Sequence, residues 1–161
     1  MAEKFSGCEI VELAVQIEQN GKEFYSELIK KTDNSKIAEI LGYLAEEENN
    51  HIDTMKEISG SMCDYNPPEA YPDEYFAYMK ALASQYIFTQ KDKGSDIAYN
   101  IRGYQEGIDM GIQFEKDSIL FYEEMKKLVP EKGKELVGKV ILEEKGHLTK
   151  LCDLRGGCED E

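Results

Sequence analysis

Apolar side chains recur along most of the chain at spacings of three and four residues, which is the period of a helix with one buried face. The first such run covers residues 10–29, and a second covers residues 37–58. The polar stretch between them, residues 32–35, offers helix-cap and turn residues. A connection this short predicts that the two helices form an antiparallel hairpin.

The second half repeats this arrangement after a long interruption. Gly60 and the prolines at positions 67, 68 and 72 break the pattern between residue 59 and about residue 95, although residues 73–83 are predicted to be helical. Two further periodic runs, over about residues 104–128 and 132–154, are separated by Pro130. Two hairpins joined by one long crossover predict an all-α, ferritin-like four-helix bundle.

Composition shows no shift that would divide the chain, so residues 1–161 are predicted to form a single domain. Within it we expect a first hairpin over about residues 8–59 and a crossover over about 60–95. A second hairpin follows over about 96–155, and a short acidic tail ends the sequence.

Charge excludes some classes of partner. The chain has 33 acidic and 19 basic residues and a net charge of −14, which disfavours binding to nucleic acid and to anionic membranes. No secretory signal and no apolar run near the ~18 residues of a membrane span is seen, so a cytoplasmic protein is expected.

The four cysteines, Cys8, Cys63, Cys152 and Cys158, include no Cys-Xaa-Xaa-Cys pair, which disfavours a zinc ribbon or a rubredoxin-type iron site. We expect reduced thiols. A redox pair of Cys152 and Cys158 is the less favoured alternative.

The chain's two histidines each follow a glutamate by three residues, as Glu48 with His51 and Glu144 with His147. Each pair therefore shares one helix face, and the same rows carry the apolar residues expected in the core. An Glu-Xaa-Xaa-His pair taken singly is most often ordinary helix surface. Here the two pairs stand at matching places in the two predicted hairpins.

The two halves of the chain form an internal repeat. Glu18 precedes Phe24 and Tyr25 by six and seven residues, and Glu115 precedes Phe121 and Tyr122 in the same way. Glu115 lies 97 residues after Glu18, and Glu144 lies 96 residues after Glu48. One ligand-bearing hairpin has thus been repeated.

Four carboxylates on apolar stripes require a compensating charge, because an isolated buried carboxylate costs tens of kcal/mol by Born estimates. Two divalent cations would balance the four glutamates, and two imidazoles would complete the coordination. A glutamate on each of two helices and a Glu-Xaa-Xaa-His pair on each of the others is the ligand set of di-metal carboxylate bundles. The predicted metal ligands are Glu18, Glu48, His51, Glu115, Glu144 and His147.

The spacing leaves two features undecided, the exact ligand set and the identity of the metal. Glu47 and Glu143 each precede a histidine by four residues, so they are rival ligands or hydrogen-bond partners of the ligands. The donor set does not fix the metal either, because oxygen and imidazole ligands also suit manganese and zinc.

The segments around Glu18, His51, Glu115 and His147 resemble the rubrerythrin family of ferritin-like di-iron carboxylate proteins, and the resemblance spans all four long helices. It implies two iron ions per chain, with Glu48 and Glu115 as bridging ligands. It also implies that Tyr25 and Tyr122 take part in the reaction as hydrogen-bond donors to the ligands.

Two departures from the family pattern affect the expected function. Ser118 stands where typical rubrerythrins have a further glutamate, so a ligand exchange used in peroxide reduction is expected to be lost. Typical members also carry a rubredoxin domain with Cys-Xaa-Xaa-Cys pairs, which these residues lack. We therefore expect a separate electron-donor protein.

The resemblance favours an oxidoreductase of the oxidative-stress type that reduces hydrogen peroxide or dioxygen. The alternatives are a ferroxidase or iron-handling protein, and a non-enzymatic module that responds to iron or oxidants. Self-association, most simply as a homodimer, is expected because bundles of this kind pair through exposed apolar stripes.

Overall fold

The structure, a computed structural model, describes residues 7–62 and 73–159, and this part of the chain contains helices but no strand. Six α-helices follow one another. They are α1 (Gly7–Leu28), α2 (Ser35–Met62), α3 (Asp73–Gln85), α4 (Lys93–Asn100), α5 (Tyr104–Leu128) and α6 (Glu131–Glu159). Two short 3-10 turns, Ile29–Lys31 and Ile87–Thr89, follow α1 and α3. The all-helical fold class predicted from the sequence is confirmed.

Four long helices form the bundle. The first hairpin packs α1 along α2, the second packs α5 along α6, and the hairpins meet through contacts of α2 with α6 and of α1 with α5. The loop of the first hairpin is closed by the Asn34 side chain, whose Oδ1 accepts hydrogen bonds from the backbone N–H groups of Lys36 and Ile37. This caps the first turn of α2, as the polar loop sequence predicted.

The crossover contributes α3 and α4, and the predicted helix near residues 73–83 is confirmed as α3. Its proline-bearing stretch at 63–72 lies outside the described residues. Residue 96, the predicted start of the second hairpin, lies inside α4, which is a separate short helix packed on α1. The extended residues Ile101 and Gly103 separate α4 from α5.

The buried Asn20 side chain of α1 holds the crossover in place. Its Nδ2 donates to the carbonyls of Phe88 and Gln90, both at 2.6 Å, and its Oδ1 accepts from the N–H of Gly94 at 3.1 Å. A Cβ at Gly94 would lie 2.0 Å from the Asn20 carbonyl oxygen, so only glycine allows α4 to approach α1 this closely.

The core runs the length of the bundle and contains an aromatic cluster of Phe24, Phe88 and Phe114. The rings of Phe88 and Phe114 stack with centroids 3.8 Å apart, and Phe24 meets both at an angle. This cluster joins the crossover to α1 and α5. Within the described ranges, no helix combines the length and apolar character that crossing a membrane requires.

Candidate metal centre

The six predicted ligands meet in the middle of the bundle. Each of the four long helices supplies a glutamate to this point, and α2 and α6 each add a histidine one turn later. All six residues are buried, with at most 4% of any of them exposed. The helical period places them there because every one lies on a stripe of otherwise apolar residues. Their role as metal ligands remains a prediction.

The two histidines point their Nδ1 atoms into the carboxylates. His51 Nδ1 lies 3.3 Å from carboxylate oxygens of both Glu18 and Glu144, and 3.6 Å from one of Glu48. His147 Nδ1 lies 3.1 Å from Glu144, 3.3 Å from Glu48 and 3.8 Å from Glu115. Each imidazole therefore faces three glutamates.

These contacts define two overlapping clusters of four ligand groups. One contains Glu18, Glu48, His51 and Glu144, and the other contains Glu48, Glu115, Glu144 and His147; within each, the ligand atoms lie within 4.8 Å of one another. Glu48 and Glu144 belong to both clusters, which is the position of bridging ligands. Glu115 belongs to one cluster only, so this geometry does not favour Glu115 as a bridging ligand, and the expectation that it bridges stays a prediction.

Tyr25 and Tyr122 contact the carboxylates across the repeat. The Tyr25 hydroxyl donates a hydrogen bond to Glu115 Oε1, and the Tyr122 hydroxyl donates one to Glu18 Oε1. Each tyrosine of one hairpin thus orients the glutamate of the other. Burial, and then the neighbouring carboxylates, raise the pKa of both phenols well above the usual value, so both keep the proton that they donate.

Without a metal, the cluster holds extra protons. Burial, followed by the charges of neighbouring glutamates, raises the pKa of Glu18 and of Glu115 well above the usual value. Burial alone would lower the pKa of His147, but its hydrogen bonds to Glu144 and Glu48 raise that pKa to about 9. The pKa of His51 is raised by the same kind of contact. Cations that bind here must displace these protons.

Several buried polar atoms of the cluster have no hydrogen-bond partner. They are Glu18 Oε2, His51 Nδ1, Glu144 Oε1 and His147 Nε2. Unpaired buried donors and acceptors are costly and therefore rare in folded proteins. Three of these atoms face the inner carboxylate cluster, where a cation would use them as ligands. The residues present thus fit a pair of divalent cations.

Glu47 and Glu143, the rival ligands, lie outside both four-residue clusters. Glu143 Oε2 is 2.9 Å from Nε2 of His51, on the ring edge opposite the inner carboxylates, and its side chain is 35% exposed. If Nδ1 of His51 held a cation, Nε2 would carry a proton and donate a hydrogen bond to Glu143. The carboxylate would then fix the orientation of the ring.

A small cavity lies beside the cluster, on the side of α1 and α5. It has a volume of about 10 Å³, close to the smallest that holds one water molecule. Glu48, Glu115, Ser118 and Tyr86 contribute to its wall, and the Tyr86 and Ser118 hydroxyls are 2.7 Å apart. Tyr86 could not be predicted from the sequence as part of this site, because it lies in the crossover, where no helical period marks an inward-facing position.

Neither Cys8 nor Cys152, the cysteines whose side chains the structure describes, belongs to either cluster. Cys8 is disulfide-bonded, so the expectation of reduced thiols is wrong for that residue. Cys152 is a free, exposed thiol, and the alternative pairing of Cys152 with Cys158 is therefore not formed. Cys63 and the side chain of Cys158 lie outside the part of the chain that the structure describes.

Comparison with known proteins agrees with this arrangement. A crystal structure from Thermotoga maritima, described as a ferritin-like diiron-carboxylate protein, superimposes with a TM-score of 0.66 at 27% sequence identity. The match covers 96% of this chain and 97% of that one, which confirms the ferritin-like fold. Among curated proteins, none matches the sequence significantly. The sequence profile of the rubrerythrin family matches residues 9–155, and the chain therefore belongs to the rubrerythrin family.

Proposed function

We propose that this protein is a non-haem di-iron oxidoreductase that reduces hydrogen peroxide or dioxygen with electrons from a separate donor protein. The observation that carries the proposal is the pair of buried clusters that share Glu48 and Glu144. Family membership and the description of the Thermotoga maritima protein favour iron over the manganese and zinc that the same donor types accept.

The charges support two divalent ions. Four glutamates converge within the clusters, and the groups that meet them there are phenols, which stay neutral, and imidazoles, which become neutral ligands when they give up a proton to an incoming ion. Two ions would cancel four ionised carboxylates and displace the protons that the carboxylates and imidazoles share in the metal-free state. When bound, two ferrous ions supply the two electrons that reduction of one peroxide molecule requires.

The protein's own groups hold the site in place and keep it dry. Tyr25 and Tyr122 fix the two carboxylates that belong to one cluster each, and the aromatic core excludes bulk water. Peroxide reduction to two water molecules also consumes two protons. The hydroxyls of Tyr86 and Ser118, which border the cavity beside Glu115, are placed to hold a proton there.

The electron donor is proposed to be another protein. The 161 residues contain no Cys-Xaa-Xaa-Cys pair, so the iron–sulfur site that delivers electrons in typical rubrerythrins cannot form from them. We therefore propose a physiological partner with its own redox group as the source of electrons.

Stopped-flow oxidation of the di-ferrous protein tests the proposal. Peroxide should oxidise the bound iron faster than it oxidises free ferrous ion. A chemical reductant should then restore the di-ferrous state for repeated cycles. Oxidation no faster than that of free ferrous ion would rule out the enzyme. Iron that leaves the protein after a single oxidation would instead indicate a ferroxidase or iron-handling role, the alternative considered from the sequence.

A further inference from the structure

The buried centre needs a route by which metal ions reach it. All six proposed ligands have at most 4% of their surface exposed, so an ion in solvent does not meet them directly. Two partly exposed carboxylates, Glu47 and Glu143, lie next to this set. They occupy equivalent places in the two hairpins, 96 residues apart, on the two histidine-bearing helices α2 and α6.

The outer edges of the histidine rings face these carboxylates. Because Nδ1 of each ring points into the inner cluster, Nε2 lies on the opposite edge. Nε2 of His51 contacts Glu143 at 2.9 Å. Ring nitrogens of His51 and His147 and a carboxylate oxygen of Glu47 lie within 4.8 Å of one another. The two rings stack nearly parallel, with centroids 5.5 Å apart.

One atom of this group points to a ligand independently of the acidic residues. His147 is 2% exposed, and its Nε2 has no hydrogen-bond partner. An unpaired, buried ring nitrogen is a lone pair or an N–H without compensation, and it costs free energy unless something binds to it. His147 also belongs to the group that it forms with His51 and Glu47.

We propose that Glu47, Glu143 and the outer ring edges of His51 and His147 form a capture site for a divalent cation, from which metal passes between the helices into the centre. The inference rests on the proposed metal centre, and it adds the path by which that centre is filled. Carboxylate oxygens and imidazole nitrogens suit ferrous ion and its analogues, and an ion that binds an outer ring edge would displace the proton on that nitrogen. An anionic or apolar ligand would meet two negative charges instead.

The surroundings leave this site accessible. Gly146, directly before His147, is exposed, and a Cβ built there would meet no atom within 4 Å. The nearby lysines have other partners, because Lys145 pairs with Glu123 at 3.7 Å and Lys150 lies over the Tyr43 ring. Neither lysine is paired with Glu47 or Glu143, which contact the Asn50 amide and the His51 ring, respectively.

Uptake of cobalt(II) by the metal-free protein, followed by stopped-flow absorption, tests the capture site. The double variant Glu47→Gln and Glu143→Gln removes two charges from it. The matched control, Glu46→Gln and Glu135→Gln, removes two charges from exposed positions on the same two helices. We expect uptake by the first variant to be at least about tenfold slower, a range typical of electrostatic capture, while the control stays within about twofold of wild type.

Both variants should still bind two cobalt ions per chain at saturating cobalt, since the six inner ligands are unchanged and a glutamine amide oxygen at position 143 can still accept the hydrogen bond from His51 Nε2. Equal uptake rates in the two variants would overturn the capture site. A lower final occupancy at an unchanged rate would also overturn it, because the glutamates would then support the centre and not the path to it. If wild type binds no cobalt at all, the metal centre itself fails, and the proposed function fails with it.

Discussion

At the residue scale, the centre depends on side chains that orient the proposed ligands. Tyr122 reaches from α5 to Glu18 on α1, and Tyr25 reaches from α1 to Glu115 on α5. These hydrogen bonds link the two hairpins at the point where their carboxylates converge. Each bond holds its glutamate side chain in one orientation before metal binds. Metal binding then costs less side-chain entropy.

Replacing Tyr122 by phenylalanine should therefore weaken metal binding and leave the fold intact. We expect a loss of about 10- to 100-fold in affinity for ferrous or cobalt ion, the range typical for groups that orient metal ligands. Competition with a chelator measures it. Tyr99→Phe is the control, since Tyr99 is 76% exposed. If both variants bind metal with equal affinity, the Tyr122 hydroxyl does not support the centre.

The close packing of Gly21 against Glu48 leads to a second prediction at this scale. A Cβ at this position would lie 3.3 Å from the Glu48 carboxylate carbon, so Gly21→Ala should displace a glutamate shared by both clusters. We expect the metal affinity to fall at least about tenfold. Gly60→Ala, at an exposed helical position with no atom within 4 Å, should instead stabilise the fold by about 0.5–1 kcal/mol. Unchanged chelator competition in Gly21→Ala would contradict this reading of the contact.

The sequence predicted the convergence of the six residues because each lies on a regular helix, where spacing determines the face. The spacing alone did not predict which glutamates are shared; the family resemblance implied Glu48 and Glu115, whereas Glu48 and Glu144 belong to both clusters. Glu144 and Glu115 both face inward, and only side-chain conformation distinguishes the bridging position from the single one. Glu143 lies outside the cluster because neighbouring residues of a helix point about 100° apart, so Glu143 and Glu144 cannot face the same way.

At the element scale, the crossover covers one side of the bundle, mainly along α1. It lies against α1 through α4 and the Ile87–Thr89 turn, and Asn20 connects both to the bundle. The sequence predicted that a long crossover exists and that part of it is helical. It could not predict Asn20 as the anchor or Tyr86 as part of the cavity, because irregular backbone has no period from which to read a buried face.

Asn20→Ala should be strongly destabilising, because two carbonyls and one N–H lose their partner in a buried place. We expect the free energy of unfolding to fall by about 2–4 kcal/mol, as for buried groups left unpaired. Urea unfolding of the metal-free protein measures it. Asn49→Ala, an exposed position on α2 that accepts a bond from Lys22, should change it by less than about 0.5 kcal/mol. Equal stabilities would show that the anchor is unimportant.

At the scale of the whole molecule, metal binding and protonation compete in one buried cluster. The net charge of −14 attracts both competitors, and it acts more strongly on a divalent ion than on a proton because the ion has twice the charge. The expectations that nucleic acid and membranes are not partners, and that the chain self-associates in the cytoplasm, stay predictions. Leu120 and Leu142 are exposed apolar residues on α5 and α6 where self-association can be examined.

The stability of the metal-free protein should decrease as the pH rises. The pKa of His147 is raised from 6.5 to about 9, so its stabilising proton is fully retained below about pH 6.5 and lost by about pH 9. The raised pKa of His51 acts in the same direction. The loss attributable to His147 is about 3 kcal/mol at most.

The metal-loaded protein is the control for this pH dependence. In it the ligand nitrogens carry metal and not protons, so its unfolding free energy should not fall over the same range. Urea unfolding of both forms at several pH values separates the two cases. Parallel pH profiles would contradict the view that metal and protons occupy the same groups.

Iron binding itself tests the central claim most directly. The metal-free protein is titrated with ferrous ion without oxygen, its bound iron is counted, and its absorption spectrum is recorded after oxidation. Two overlapping clusters predict two irons per chain and an oxo-bridged di-ferric band, both lost in a His51→Ala and His147→Ala variant. Substoichiometric iron without that band, together with a melting temperature that chelators leave unchanged, would contradict the account.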